Sequence, residues 1–147
     1  VHGPLGRYFV WIPSEPDRSP VQLIAGGSGV VPLFAMAAAR EHEADHAEFR
    51  LLYSVRTPQD VFFAKELSAL SKTTVDIVYT RRSPPQSPRP PGRLTRESVA
   101  GFVFPSSVAP RIFVCGPTPF VETVAGWLVQ LGHDPAQIRT ERFGGSG

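Results

Sequence analysis

Two stretches, far apart in the chain, leave few folds open to it. The first is Val21-Gln22-Leu23-Ile24-Ala25 followed by Gly26-Gly27-Ser28-Gly29-Val30-Val31-Pro32; the second is Arg111-Ile112-Phe113-Val114-Cys115 followed by Gly116-Pro117-Thr118. Each is a short apolar run that ends in a glycine turn, and each turn opens a helix. Such a run, bounded by glycine, reads as a strand covered on both faces. Strands that each feed a helix return through crossovers, which favours a parallel sheet over a meander of hairpins.

The same alternation continues along the chain. A helix is expected from Pro32 to about Glu43, with Pro32 in its first turn, where a missing N–H leaves no hydrogen bond unmade. Phe49–Val55 is the second strand. Thr57 is placed to cap the next helix, with Pro58 at its first position and Asp60 at capping-box spacing. Phe63, Leu67 and Leu70 would form its inward stripe. Thr74–Thr80 alternates Val75, Ile77 and Tyr79 as a third strand, followed by a proline-rich loop and a short helix from Thr95. After the strand Arg111–Cys115, Thr118 is expected to cap a helix that turns Val121, Val124, Ala125 and Leu128 inward and stops at Gly132. Ile138–Phe143 is the fifth strand. The fold class is α/β, a doubly wound five-stranded parallel sheet with helices on both faces.

Composition narrows the function classes. With 147 residues, 41% of them hydrophobic, and a net charge of +2, the chain can bury one substantial core and is not a disordered tail. Its apolar stretches are broken by Gly, Pro or Arg well short of a membrane span, so no membrane partner is expected. The single cysteine excludes an internal disulfide and suits a reducing cytoplasm. No basic stretch followed by an apolar one opens the chain, so secretion is not indicated. It begins at Val1 rather than Met, which reads as a fragment. Residues 1–12 look like a turn and then a strand-like aromatic run, and Ser14 to Pro20 reads as a linker or domain edge.

The first glycine turn carries a chemical suggestion. Glycines let a backbone approach an anion closely, and the N–H groups at a helix start then face it. Two such turns on one sheet edge form a cleft suited to a phosphorylated ligand. The same residues also serve a tight strand–helix turn with no ligand. The second strand ends in Ser54-Val55-Arg56, with no acid until Asp60, and the third in Thr80-Arg81-Arg82. An acid at the second strand end usually holds the ribose hydroxyls of NAD, whereas arginines suit a 2′-phosphate. Solvated loop ends are the plainer account of the same arginines.

Three other patterns compete for attention. His42-Glu43-Ala44-Asp45-His46 fits H-E-x-x-H, but zinc hydrolysis needs both histidines on an intact helix plus a third ligand, and the strand near Phe49 follows too soon. No metal site is expected. Pro84 to Pro91 has P-x-x-P spacing that can present a polyproline helix, and equally reads as a loop. The arginines from Arg81 to Arg96 raise nucleic-acid binding, yet they lack interleaved aromatics, so no nucleic acid is expected.

Six segments in order give the chain a family likeness. Gly3-Pro4-Leu5-Gly6-Arg7-Tyr8-Phe9 resembles the segment that closes a flavin barrel; Gly26 to Pro32, the pyrophosphate turn; and Tyr53 to Asp60, the segment beside the adenosine. Thr80-Arg81 lies where NADP-specific relatives contact the 2′-phosphate. Cys115-Gly116-Pro117 matches the C-G-P motif beside the nicotinamide, and Glu141-Arg142-Phe143-Gly144 resembles the terminus facing the flavin. Together they resemble the nicotinamide-nucleotide-binding half of the ferredoxin–NADP⁺ reductase family, in particular bacterial reductase components that feed iron–sulfur centres and oxygenases.

The resemblance implies the strand order 3-2-1-4-5 and hydride transfer from NAD(P)H to FAD, with electrons passed on to a ferredoxin or an oxygenase. It implies that NADP(H) is preferred and NAD(H) possible, held by Gly26, Gly27, Ser28, Gly29, Val30, Pro32, Ser54, Arg56, Thr80 and Arg81, and by Gly116, Pro117 and Thr118. Gly116 would leave room for the nicotinamide, and Cys115 would pack beside the reacting carbon as the catalytic-site residue. Cys115 can equally be a small buried hydrophobe, and Phe143 either covers the flavin or is a core aromatic. Residues 1–18 would be the tail of a flavin barrel plus linker, 19–143 the NAD(P)-binding domain, and 144–147 the start of a linker. FAD would sit in the full-length enzyme or on a separate chain, so this chain alone is expected not to turn over. A stand-alone, non-catalytic nucleotide-binding or protein-interaction module is the alternative.

Overall fold

A computed structural model describes residues 18–43 and 47–143. The segment Gly3–Phe9, the linker as far as Asp17, His46 and residues 144–147 lie outside the described residues. The strands are β1 (Val21–Gly26), β2 (Phe49–Val55), β3 (Thr73–Tyr79), β4 (Arg111–Pro117) and β5 (Ile138–Phe143). The helices are α1 (Val30–Glu41), α2 (Ala64–Ser68), α3 (Arg96–Phe102) and α4 (Thr118–Gln130), with short 3-10 turns at Gly27–Gly29, Pro58–Asp60, Ser106–Val108 and Pro135–Gln137. All strands pair in parallel, in the order β3-β2-β1-β4-β5. The expected doubly wound sheet is the observed one.

Burial follows from that order. Every residue of the central strand β1 is buried, whereas the edge strands β3 and β5 are mostly half-exposed. Side chains alternate across the sheet, so Leu23, Ala25, Leu51, Tyr53, Phe113 and Cys115 pack with Leu33 and Ala37 of α1. Ile24, Leu52, Ile112 and Val114 face the other way, onto Val99 of α3 and Val121, Val124 and Leu128 of α4. Gln22 is the polar exception in β1. Its Oε1 accepts the Phe104 N–H at 3.0 Å and its Nε2 donates to the Leu23 carbonyl at 3.3 Å, so the fully buried amide is satisfied on both sides.

Local differences from the expected elements have identifiable causes. α1 begins at Val30, so Pro32 is its third residue, still within the first turn. The helix ends at Glu41 with His42 as its C-cap, which removes His42 from any intact H-E-x-x-H helix. The Thr57–Asp60 capping box forms as expected, but it caps only a 3-10 turn. The chain then leaves helical geometry at Val61, because the Phe62 N–H donates to the Tyr53 hydroxyl at 2.9 Å. Phe63 adopts a left-handed φ of 61°, which lays its ring on Phe34 at 4.4 Å. Tertiary contacts thus break one expected helix into a turn and the short α2. Thr118 does not cap α4: β4 runs on to Pro117, which is the N-cap, and Thr118 is the first helical residue. Gly132, at φ +97°, does end that helix, with Gly132 and His133 donating to Val129 and Leu128, each at 3.0 Å.

At the far edge, the last residue of α1 fixes the start of β3. The Glu41 carboxylate accepts the Ser71 N–H at 3.1 Å, the Ser71 hydroxyl at 2.9 Å and the Lys72 N–H at 2.8 Å. Desolvation opposes ionisation of Glu41, but the Lys72 and Ser71 amides, the Ser71 hydroxyl and the Lys72 charge together outweigh it, and its pKa lies below the ordinary 4.5. A carboxyl with a lowered folded pKa contributes stability above its unfolded value, and that contribution disappears as pH falls through the folded value. Glu41→Gln is therefore expected to cost about 1 kcal/mol in urea unfolding at pH 7, a figure reduced for exposure. At a pH well below 4.5 the variant and the parent should unfold together; a gap that persists there would sink the ionic account.

Candidate cofactor-binding site

In a sheet of order 3-2-1-4-5 the winding direction reverses between β1 and β4, and ligands bind beyond the carboxyl ends of the strands at that point. A cavity of about 730 Å³ opens there. Gly26 at the end of β1, with Gly27 and Ser28 of the turn after it, forms one wall, and Ser54 and Val55 at the end of β2, with Arg56 just beyond, form the next. Gln59, Asp60, Phe62, Thr80 and Arg93 line the outer part, and Pro117, Pro119 and Phe120 close it on the β4 side. The two glycine turns singled out in the sequence therefore face one space.

They also touch. A Cβ at Gly29 would overlap the carbonyl oxygen of Cys115 and lie 2.5 Å from its carbonyl carbon, so only glycine lets the β1 turn rest on β4. Gly27 has φ +55°. No side chain caps this turn or α1, so the positive end of a 12-residue helix is left open to an anion. That open, positively polarised turn fits a pyrophosphate.

The basic groups are arranged differently from the expected set. Arg56 and Thr80 line the cavity as anticipated, but Arg81 does not; it is exposed, and its N–H donates to the Arg56 carbonyl at 2.9 Å. Arg93, which the sequence reading did not include, lines the cavity beside Arg56 and Thr80. The Gly92 N–H donates to the Tyr79 carbonyl at 3.0 Å, which returns the long proline loop to the end of β3 and delivers Arg93 to the cavity. The one cue in sequence was Gly92 closing the proline run. Asp60, the nearest acid, has one carboxylate oxygen occupied by the Thr57 N–H at 3.1 Å and the Thr57 hydroxyl at 2.8 Å.

Other anticipated residues support the site from below or lie beside it. Val30 and Gly29 are buried, and Pro32 and Thr118 are half-buried outside the cavity lining. Phe143 is 39% exposed at the end of β5, opposite Pro117, so it is not a core aromatic. Cys115 is fully buried in the cluster under α1. Burial, reinforced by the Glu141 charge, pushes its thiol up to about 12, so it stays protonated at neutral pH and supplies no nucleophile. Phe62 and Phe120 were not anticipated at all. Nothing in the spacing of these two apolar residues marks them for a site, and only tertiary geometry brings them to the cavity.

Residues 23–126 match the family described as oxidoreductase NAD-binding domain. The chain belongs to that family. It is an NAD(P)-binding domain of the ferredoxin reductase-like oxidoreductases. NADH-cytochrome b5 reductase 2-A of Vanderwaltozyma polyspora is 32% identical over 129 residues, which cover 84% of this domain and 43% of that protein. The glycine betaine monooxygenase reductase subunit of Chromohalobacter salexigens is 30% identical over 149 residues, covering 98% of this domain and 40% of that subunit. The flavohem-like FAD/NAD-binding domain of nitric oxide dioxygenase from Vibrio cholerae superposes with a TM-score of 0.74 at 26% identity, over 92% of this chain and 54% of that one. The domain thus spans about two fifths of the two curated relatives. Among the described residues, no helix is long and apolar enough to cross a membrane, and no group of three or more His, Cys, Asp or Glu is placed to hold a metal ion.

Proposed function

We propose that this domain binds NADP(H) in preference to NAD(H) and presents the nicotinamide to an FAD held by a flavin domain, in the same chain or another. In this reading, electrons pass on to a ferredoxin or an oxygenase, the kind of system named for the Chromohalobacter subunit. The bound dinucleotide supplies the hydride; the protein supplies position, orientation and exclusion of water. Gly26, Gly27 and Ser28, with the α1 dipole, hold the pyrophosphate, and Ser54 lies beside the adenosine. Gly116, Pro117 and Thr118 shape the nicotinamide end, Cys115 fills the floor as an uncharged thiol, and Phe143 faces the flavin. A lone protonated thiol suits a cytoplasmic setting.

The observation that carries the phosphate preference is that Arg56, Thr80 and Arg93 line one cavity while Asp60 is engaged by Thr57. Two guanidinium groups in reach of one site favour a dianion over bare ribose hydroxyls. The yeast relative is named for NADH, so a direct comparison of the two nucleotides decides the matter. Calorimetric titration should give NADP⁺ an affinity at least about thirtyfold above NAD⁺, as a single charge-assisted contact of about 2 kcal/mol supplies. Equal affinities would remove the phosphate assignment, and binding of neither nucleotide would remove the module itself.

A further inference from the structure

Gly26 is the last residue of β1 and Gly116 the next-to-last of the neighbouring β4, and both lack a side chain on the α4 face of the sheet. Ile24 and Val114, two residues earlier on the same strands, pack on that face against α4. Instead of two side chains there is one ring. A Cβ at Gly26 would lie 2.7 Å from Cδ2 of Phe120, and a Cβ at Gly116 would lie 3.0 Å from the same atom. The two glycines open a slot the width of an aromatic ring, and Phe120, from the first turn of α4, fills it. Phe120 is half-buried and forms part of the cavity wall, so its ring has open space to move into.

Gly116 was expected to leave room for the nicotinamide, and the structure shows that room taken by Phe120. We infer that Phe120 competes with the nicotinamide ring for the Gly26–Gly116 slot, so that productive seating requires the Phe120 side chain to rotate into the cavity. This rests on the nucleotide reading above. Rotation of a half-buried ring is a fast side-chain event, and the competition is felt as affinity. A ligand that needs a conformation populated a fraction of the time binds more weakly by that fraction. The adenosine half, placed at Arg56 and Arg93 in that reading, brings no nicotinamide ring to seat in the slot and so escapes the competition.

The test titrates the parent, Phe120→Ala and Phe120→Leu with NADP⁺ and with 2′,5′-ADP, which lacks the nicotinamide. Phe120→Ala should tighten NADP⁺ about tenfold, the gain when a slot closed about nine-tenths of the time is opened. The affinity for 2′,5′-ADP should not move, and its retention also reports that the variant has folded. Phe120→Leu, which keeps an apolar occupant of smaller width, should fall between and decides the matter if Phe120→Ala does not fold. An equal change for both ligands, no change for either, or a selective loss of NADP⁺ would overturn the inference while leaving the nucleotide site standing. Failure of the parent to bind either ligand would overturn both.

Discussion

Gly29→Ala is expected to destabilise the domain by about 3 kcal/mol, the upper range for atoms forced into a packed interior. The added methyl meets the main chain of Cys115, not a side chain that can rotate away. Relief requires the turn after β1 to lift off β4, which pulls apart the two central strands of the sheet at their carboxyl ends. Gly126→Ala is the matched comparison. Gly126 lies inside α4 with nothing within 4 Å of the position a Cβ would take, and the substitution exchanges a poor helix former for the best one. It should gain up to about 1 kcal/mol, so the same change has opposite signs at the two sites. Thermal and urea unfolding measure both. A Gly29→Ala protein with unchanged stability would show that the turn does not rest on β4 as described.

The second large effect concerns the arginines. Arg56→Gln and Arg93→Gln should each weaken NADP⁺ binding by about 2 kcal/mol, or roughly thirtyfold, the worth of a charge-assisted hydrogen bond to a phosphate. NAD⁺ binding should be unaffected by either, because the lost partner is the 2′-phosphate. Arg81→Gln should change neither, since Arg81 stands outside the cavity lining. If Arg81→Gln alone abolishes the preference, the role returns to the strand-end arginine and Arg93 is a solvated loop residue. The three variants, titrated with both nucleotides, separate these accounts without reference to turnover.

That contrast between Arg81 and Arg93 marks where the sequence could be read and where it could not. β1 and β4 were legible because a run buried on both faces leaves an uninterrupted apolar signal, and the glycines after them obey local backbone constraints. The Thr57 box and the Gly132 stop were legible for the same local reason. What escaped depended on contacts between distant residues. The Tyr53 hydroxyl and the Phe34 ring draw Phe62 and Phe63 out of the helix that their spacing suggested. A hydrogen bond from Gly92 to Tyr79 returns the proline loop to the end of β3 and brings Arg93 to the cavity, and apart from Gly92 itself the sequence of that loop carries no sign of the bond. The period of α4 places Phe120 on an inward face but does not reveal that two glycines on separate strands leave it a slot.

The contact of Gly29 with the Cys115 carbonyl has a consequence for how such a site can change over time. It ties the turn proposed to hold the pyrophosphate to the strand proposed to carry the nicotinamide end, through the main chain of Cys115. The span between those two ends behaves as a fixed ruler, indifferent to most side-chain replacement. The guanidinium groups proposed to distinguish one dinucleotide from the other, Arg56 and Arg93, hang instead from a strand end and a returning loop. Lineages can exchange one cofactor for another at the loose end while the reach of the hydride stays constant.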